Sequence, residues 1–338
     1  MKSRAPLISV IMPVFNSEAT VVNAVQSILH QSYKNFELIV IDDGSTDQSV
    51  SLISEITDKR IRIIRNERNR GVVAVLNDAL RIASGEFVAR QDADDESLAD
   101  RLKQQVRVLV EEPAVIAVGA ALRVVDDSGE DKGIWRYPET VGHSRWQLLF
   151  KTPLAHSVSM YRRAIVCDAG GYSEEYKYAE DYRLWSQLAD IGGLRSIGAP
   201  LLRYSIGSGG VSRKNVQKQR AIHCVIAQEN ILKRTGLSFQ IELINKLCFL
   251  SDDIDVSVDC DDVCDIAGAL SKIFEKVGGD AEIAQSKRLI ERDCAGRIVR
   301  CLKKVPFGER IILMSEVRNR FKQLRFSAMD IARCAIGK

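Results

Sequence analysis

LISVIMPVFN, residues 7 to 16, is an apolar run closed by an asparagine. The run from Leu7 to Phe15 is shorter than the roughly 18 apolar residues a membrane-spanning helix needs, and Pro13 interrupts it. It also makes a poor export signal, despite the basic residues ahead of it. It reads as a buried strand. Three similar runs follow within the first hundred residues: Phe36 to Ile41, Ile61 to Arg65 and Phe87 to Arg90. Between them, Glu18 to His30, Thr46 to Thr57 and Val72 to Ala83 place apolar residues three and four apart, as in Val22, Val25 and Leu29. Strands alternating with helices predict an α/β fold with a parallel, doubly wound sheet. The strands are nearly continuous in apolar residues, as burial on both faces requires.

Polar residues cluster just past the carboxyl ends of these strands. Asn16 follows the first, Asp42 and Asp43 the second, Asn66 the third, and Gln91, Asp92 and Asp94 the fourth. In open α/β sheets that edge binds ligands where strand order reverses, so the pattern predicts a nucleotide site. Neither GxxxxGK[ST] nor a GxGxxG after the first strand is present, so phosphate must be neutralised without those glycine-rich loops. The stretch RQDADDES, residues 90 to 97, crowds Asp92, Asp94, Asp95 and Glu96 together. Such charges repel, and burying them unpartnered is expensive. A magnesium or manganese ion, with diphosphate oxygens completing its shell, resolves both problems.

At this point five segments resemble a known series. Pro13 to Asn16 (PVFN), Asp42 to Asp47 (DDGSTD), Asn66 with Gly71, Arg90 to Asp95 (RQDADD) and Ala179 to Trp185 (AEDYRLW) are similar, in order and spacing, to the signatures of glycosyltransferase family 2. The resemblance covers roughly residues 5 to 212. It implies a GT-A fold and a metal-dependent, inverting transfer of a sugar from a nucleotide sugar, UDP-linked, to a hydroxyl acceptor in surface polysaccharide or glycolipid assembly. By the same resemblance Pro13 and Asn16 line the nucleoside pocket, Asp43 hydrogen-bonds the base, and Asp42 sits beside it. Asp94 becomes the Mn2+ or Mg2+ ligand, and Asp92 lies near the ribose or the metal's water. His156 approaches the donor phosphates or the acceptor, and Asp181 is the base. Each position also has a plainer reading. Asp95 is a supporting carboxylate or a residue at a helix start ahead of Leu98. Asp181 also suits a helix N-cap, Trp185 suits the core, and Gly170 with Gly171 suits a turn. One departure stands out: many relatives carry a histidine where this chain has Gly207, with Arg203 or Arg213 available as a substitute cationic clamp.

The chemistry can be reasoned without the family. Moving a sugar from a nucleoside diphosphate to an alcohol requires charge neutralisation on the departing diphosphate and a base for the acceptor proton. A catalytically silent nucleotide-sugar-binding or scaffold protein is the alternative, distinguished by turnover. A nucleotidyltransferase would need a basic, glycine-rich loop after the first strand, which PVFNSEAT lacks.

Past about Val211 the family signal ends, which divides the chain into a catalytic domain, 1–212, and a helical C-terminal region, 213–338, for acceptor, membrane-surface or oligomer contacts. The helices are expected at Val216 to Arg234, Phe239 to Leu250, Cys264 to Val277, Glu282 to Lys303 and Arg310 to Leu324, with 251–265 as an acidic linker. From Arg297 to Lys338, eleven Lys or Arg face three acids, a net +8 against +3 for the whole chain. An amphipathic stretch, Ile311 to Phe326, suits a membrane surface or a second copy of the chain. No nucleic-acid module accompanies the charge, so nucleic acid is not an expected partner. The expected partners are a nucleotide sugar and a saccharide or lipid-linked saccharide. The eight cysteines form no CxxC pair and read as the reduced thiols of a cytoplasmic protein; the basic C-terminal helices make the inner face of the membrane one of its two expected resting places, the other being packing on the catalytic domain or a second copy.

Overall fold

A computed structural model describes residues 5–206, 215–249 and 257–324. The chain divides into two compact units: one comprises the residues up to Glu139 with Thr152–Gln219, the other Thr140–Lys151 with the residues from Arg220 on.

The first unit opens as a βα alternation: β1 (Ile8–Val14), α1 (Val21–Leu29), β2 (Phe36–Asp42), α2 (Ser49–Ser54), β3 (Ile61–Arg65), α3 (Val72–Ile82) and β4 (Phe87–Arg90). After it come β5 (Glu96–Ser97), α4 (Arg101–Glu111), β6 (Val115–Val125), β7 (Asp131–Trp135), β8 (Met160–Arg162), α6 (Arg163–Asp168), α7 (Glu180–Leu188) and β9 (Gly193–Ser205), with α5 (Val141–Gln147) lying between β7 and β8. The sheet runs β3-β2-β1-β4-β8-β6-β9-β5, and β7 pairs β6. β3, β2, β1 and β4 are mutually parallel. The connections on the β8 side are antiparallel, except that β6 and β9 run parallel. Ile8, Val10, Ile11, Leu38, Ile39, Val40, Val88 and Ala89 are fully buried, which is why these strands lack polar alternation.

The four expected strands and three helices of the first hundred residues all form, with the helices shorter at their ends. Helix α2 keeps only six residues because Ser45, Asp47 and Ser49 spend their side chains on loop amides. Strand order turns back between β1 and β4, and their pairing stops at Ile11 opposite Arg90. Beyond that point Pro13, which has no N–H, faces β2 alone. The crevice therefore opens just past Asn16 and Gln91, where α/β sheets bind ligands.

In the second unit, α5 is joined by α8 (Val216–Thr235), α9 (Ile241–Phe249), α10 (Cys260–Val277), α11 (Ala281–Gln285), α12 (Lys287–Lys304) and α13 (Phe307–Arg320), of which α8 begins in the first unit. Trp146 of α5 is fully buried beside the rings of Phe150 and Phe274, 5.1 and 6.2 Å away. Its indole N–H donates to Asp293 at 2.8 Å, as does Arg297 Nε. Burial pushes the Asp293 carboxyl up, but the charge and hydrogen bonds of Arg297 and Trp146 outweigh it and hold it at about 2.

Two sequence expectations change here. Cys260 to Asp265 belong to α10 rather than to a linker. Asp259 caps the helix and Asp262 returns the bond to the Asp259 amide, so the acidic residues serve a helix start. The single helix expected over Glu282 to Lys303 is two helices that break at Ser286. The expected amphipathic stretch is helical as far as Arg320, with Ile311 and Ile312 exposed and Leu313, Met314 and Val317 buried; Phe326 lies outside the described residues.

Among the described residues, no helix is long and apolar enough to cross a membrane, and the seven cysteines there are free.

Candidate active site

The loops after β1 and β2 are stitched together. Asn16 adopts a left-handed backbone, φ 48°, which asparagine tolerates better than most residues. Its amide donates to Ser45 Oγ, and its side-chain oxygen accepts from the Thr46 amide, both at 2.9 Å. Asp42 is fully buried and accepts from the Ser45 amide, with Arg65 Nε at 3.6 Å. Asp43 faces the next loop: it accepts from Asn66 Nδ2 at 2.8 Å, from the Arg70 amide at 2.9 Å and from the Gly71 amide at 2.8 Å. Gly71 has φ +89° and Gly44 φ +77°, and a Cβ on Gly44 would stand 2.8 Å from the Arg68 backbone. The DDGSTD series and Asn66 with Gly71 therefore meet in one hydrogen-bonded frame, with Asp43 as its joint.

Across the crevice, at the end of β4, Asp92, Asp94 and Asp95 each offer a carboxylate oxygen within 4.8 Å of the others. Asp94 is exposed to solvent, between half-buried Asp92 and buried Asp95. Desolvation and the Asp92 charge push its carboxyl up to about 6. Asp95 is 1% exposed; it accepts from the Ser205 amide at 3.1 Å, and its Oδ2 has no hydrogen-bond partner. Burial, then Asp92 and Asp94, raise it well above the usual carboxylate range. It does not start a helix. It precedes the short strand β5, and α4 begins only at Arg101 behind Asp100. Three crowded carboxyls, one with a buried orphan oxygen, form a hard-oxygen set that fits a divalent cation.

Cationic residues sit behind this cluster. The guanidinium of Arg90 pairs with Asp92 and bonds the Gln91 carbonyl. Fully buried Arg101 reaches Gln91 Oε1 at 2.7 Å, Ser97 Oγ at 2.8 Å and the Arg90 carbonyl. These bonds set the path of the RQDADD turn from beneath. Arg90 was legible only as the first letter of that motif, and Arg101 carried no signal.

Asp181 and Glu180 open α7, whose N-cap is Ala179, so Asp181 is the second helical residue rather than the cap. Its Oδ1 accepts from the Tyr182 amide at 2.7 Å. Desolvation and then the Glu180 charge push Asp181 up to about 7, and Asp92 adds to the effect. Glu180 is raised by burial too, and its Oε2 is buried without a partner. A carboxyl held near neutrality is suited to taking and releasing a proton at physiological pH.

His156 is half-buried, and its Nε2 lies 2.9 Å from the Tyr172 hydroxyl, which lies 3.2 Å from that of Tyr161. Burial and then the Arg90 charge lower its affinity for a proton. The imidazole thus sits against a tyrosine pair, in its neutral form. Trp185 is fully buried, as a core residue. Gly170 and Gly171 turn with positive φ, and the next amide, of Tyr172, bonds Asn77 Oδ1 at 2.9 Å. Arg203 lies 3.8 Å from Glu96, whereas Gly207 and Arg213 lie outside the described residues. Tyr137 and Tyr204, which the sequence did not single out, border the site: burial and then Asp181 raise the Tyr137 phenol, while burial and then Asp95 raise that of Tyr204.

Comparison with known proteins fits this geometry. The profile of Glycosyl transferase family 2 matches residues 9–168. An uncharacterized glycosyltransferase of Haemophilus influenzae is 32% identical over 260 residues, 72% of this chain and 80% of that protein. The Escherichia coli UDP-Glc:alpha-D-GlcNAc-diphosphoundecaprenol beta-1,3-glucosyltransferase WfgD is 27% identical over 61% of this chain and 79% of its own length. Among solved structures, S. aureus TarS in complex with UDP-GlcNAc superposes with a TM-score of 0.57 at 19% identity, covering 97% of this chain and 90% of that one. Mannosyltransferase PcManGT from Pyrobaculum calidifontis, in complex with GDP-Man and Mn2+, gives 0.52 at 17% identity over 99% and 87%. These structural likenesses show the fold, the GT-A arrangement.

Proposed function

The chain belongs to glycosyl transferase family 2, and from that premise we propose that it moves a hexose from a UDP-linked donor, with inversion, onto a saccharide carried by a lipid diphosphate in surface-polysaccharide assembly. That it is a glycosyltransferase follows from the family; the donor and acceptor are proposed by analogy with relatives such as WfgD. The observation that carries the mechanism is Asp181, a carboxyl pushed up to about 7 in a crevice that also holds three crowded aspartates.

In this reading Asp181 takes the proton of the acceptor hydroxyl as its oxygen attacks the anomeric carbon from the face opposite the diphosphate. The new C–O bond forms, the bond to the diphosphate oxygen breaks, and its electron pair leaves with that oxygen. One base on one face inverts the centre, and no carboxylic acid is needed for a diphosphate leaving group. Asp94, with Asp92 and Asp95, would hold Mn2+ or Mg2+, which when bound neutralises charge on the leaving diphosphate. Arg90 keeps Asp92 oriented. Pro13 and Asn16 line the nucleoside end, and Asp42 and Asp43 fix the loops around it, Asp43 presenting any remaining lone pair to the base. His156, held by its contact with the Tyr172 hydroxyl, is assigned to the donor phosphates or the acceptor. The helical region with its basic end is read as meeting the membrane surface on which the acceptor resides.

The test is UDP release from UDP-glucose, with and without manganese, in the presence of an alkyl-diphospho-GlcNAc acceptor. Asp181→Asn is expected to lower the rate by about 10² to 10⁴-fold with UDP binding kept. Asp94→Asn is expected to raise the manganese needed for half-maximal rate about tenfold or more. Full activity in either variant refutes the assigned role.

A further inference from the structure

The return strand of the β6–β7 hairpin, Asp131–Trp135, is exposed along its whole length. Its turn is nonetheless firmly held. Asp126 Oδ1 accepts from the amides of Ser128 and Glu130 at 2.9 and 3.0 Å. Lys132 reaches Asp126 at 2.9 Å, and Arg123 pairs with Asp131 across the strands at 3.1 Å. At the end of this pinned strand Trp135 is 48% exposed, whereas the other two tryptophans, Trp146 and Trp185, are fully buried. Leaving a large indole in water forgoes its burial energy.

Its position relates it to the site. Trp135 stands opposite Leu122 of β6, which is itself beside Leu202 of β9. The indole lies 5.7 Å from the ring of Tyr204, tilted by 41°. Ser205, the next residue, donates its amide to Asp95, and Asp95, Asp92 and Asp94 all act on the Tyr204 phenol. Two residues beyond Trp135, Tyr137 lies in the field of Asp181. Both tyrosines pack on the buried cluster that includes Leu122, Val124 and Leu202. The exposed indole thus has an aromatic backing on the strand whose next residue, Ser205, bonds the acidic cluster, and it stands two residues from Tyr137, on which the base acts. The loops of Asn16, Asp42 and Asp43 belong to β1 and β2, on the opposite side of the switch point from β6 and β9, so Trp135 is not placed for the nucleoside.

We propose that Trp135, backed by Tyr204, is the stacking platform for the acceptor saccharide, a role that rests on the glycosyl-transfer reading above. The C–H face of a neutral pyranose lies on the open face of the indole, burying area on both and meeting the negative π surface with its weakly positive hydrogens. One edge of the sugar then presents its hydroxyl toward Asp181. The platform asks for an apolar ring face and no charge, so it selects saccharide over the diphosphate that follows it.

Because Trp135 is the one exposed tryptophan, iodide quenching of intrinsic fluorescence reads it directly. The probes are an alkyl-diphospho-GlcNAc and, separately, UDP with manganese. The saccharide probe is expected to shield the quenchable fluorescence and UDP to leave it open. Trp135→Ala is expected to raise the acceptor KM about tenfold while UDP affinity by calorimetry stays within about twofold of wild type, and Trp135→Phe to recover most of the loss. An unshielded indole at saturating acceptor, an unchanged acceptor KM in the alanine variant, or shielding by UDP alone overturns the platform. A protein that binds no UDP in the calorimeter overturns the donor site instead, and that titration shows it independently of the fluorescence.

Discussion

Replacing Asp181 by asparagine is expected to stabilise the protein, and only at higher pH. In the fold, burial and Glu180 move this carboxyl from an ordinary 3.8 to about 7. That is about three decades of proton affinity at about 1.4 kcal/mol each, so ionising the group in the folded chain costs at most about 4 kcal/mol. The side chain is only half-buried, and solvent screening brings a realistic figure nearer about 2 kcal/mol. The sign follows from proton counting: between about pH 4 and 7 the folded state holds a proton that the unfolded chain has released, so stability falls as pH rises through that window and levels off above 7. An asparagine holds no such proton. The Asp181→Asn melting midpoint is therefore expected to exceed wild type by roughly 4 to 8 °C at pH 8, by roughly a third of that at pH 5, and by nothing near pH 4. The assay is thermal unfolding by circular dichroism across pH, paired with kcat/KM of wild type, which rises with its midpoint near pH 7 and levels off above it if the same carboxylate is the base. A midpoint difference of equal size at pH 5 and pH 8, or a destabilised asparagine variant at pH 8, refutes the account of Asp181 as a strained, poised carboxyl.

Two further outcomes concern the frame around the site and the helical unit. Asp43→Ala leaves the amides of Arg70 and Gly71 without their acceptor and is expected to cost about 2 to 4 kcal/mol in urea unfolding; a loss of UDP affinity with an unchanged midpoint would make Asp43 a ligand contact instead of a joint. Asp293→Ala strands Arg297, whose side chain is 4% exposed, and frees the Trp146 N–H, at about 3 kcal/mol; the buried indole of Trp146 reports that transition by fluorescence, and an unshifted urea midpoint contradicts the pairing.

The βα alternation was legible because each strand and helix carries its own periodicity and each turn its own polar residues, and these are local quantities. The same holds for Asp92, Asp94 and Asp181, whose spacing within RQDADD and AEDYRLW needs no knowledge of the fold. Asp42 and Asp43 stood out as candidate site residues, but their bonds to Ser45, Asn66, Arg70 and Gly71 depend on how three loops meet. The helix start suggested for Asp95 failed because pairing of Glu96 and Ser97 with β9 overrides a helical propensity that begins to hold only at Arg101. Arg101 itself, Tyr137, Tyr204 and Trp135 stood in no motif. Their roles come from contacts between residues far apart in the chain, such as Ser205 with Asp95 and Trp135 with Tyr204. By itself, then, the sequence determined the strand order's raw material, the family and the acidic residues to which the proposed chemistry is assigned, since those are written in short-range patterns of charge and hydrophobicity. Only the tertiary structure decided which carboxyls are crowded or desolvated enough to change their proton affinity and which tryptophan is left exposed beside Tyr204, because burial and electrostatic fields arise from the packing of segments that the linear order leaves apart.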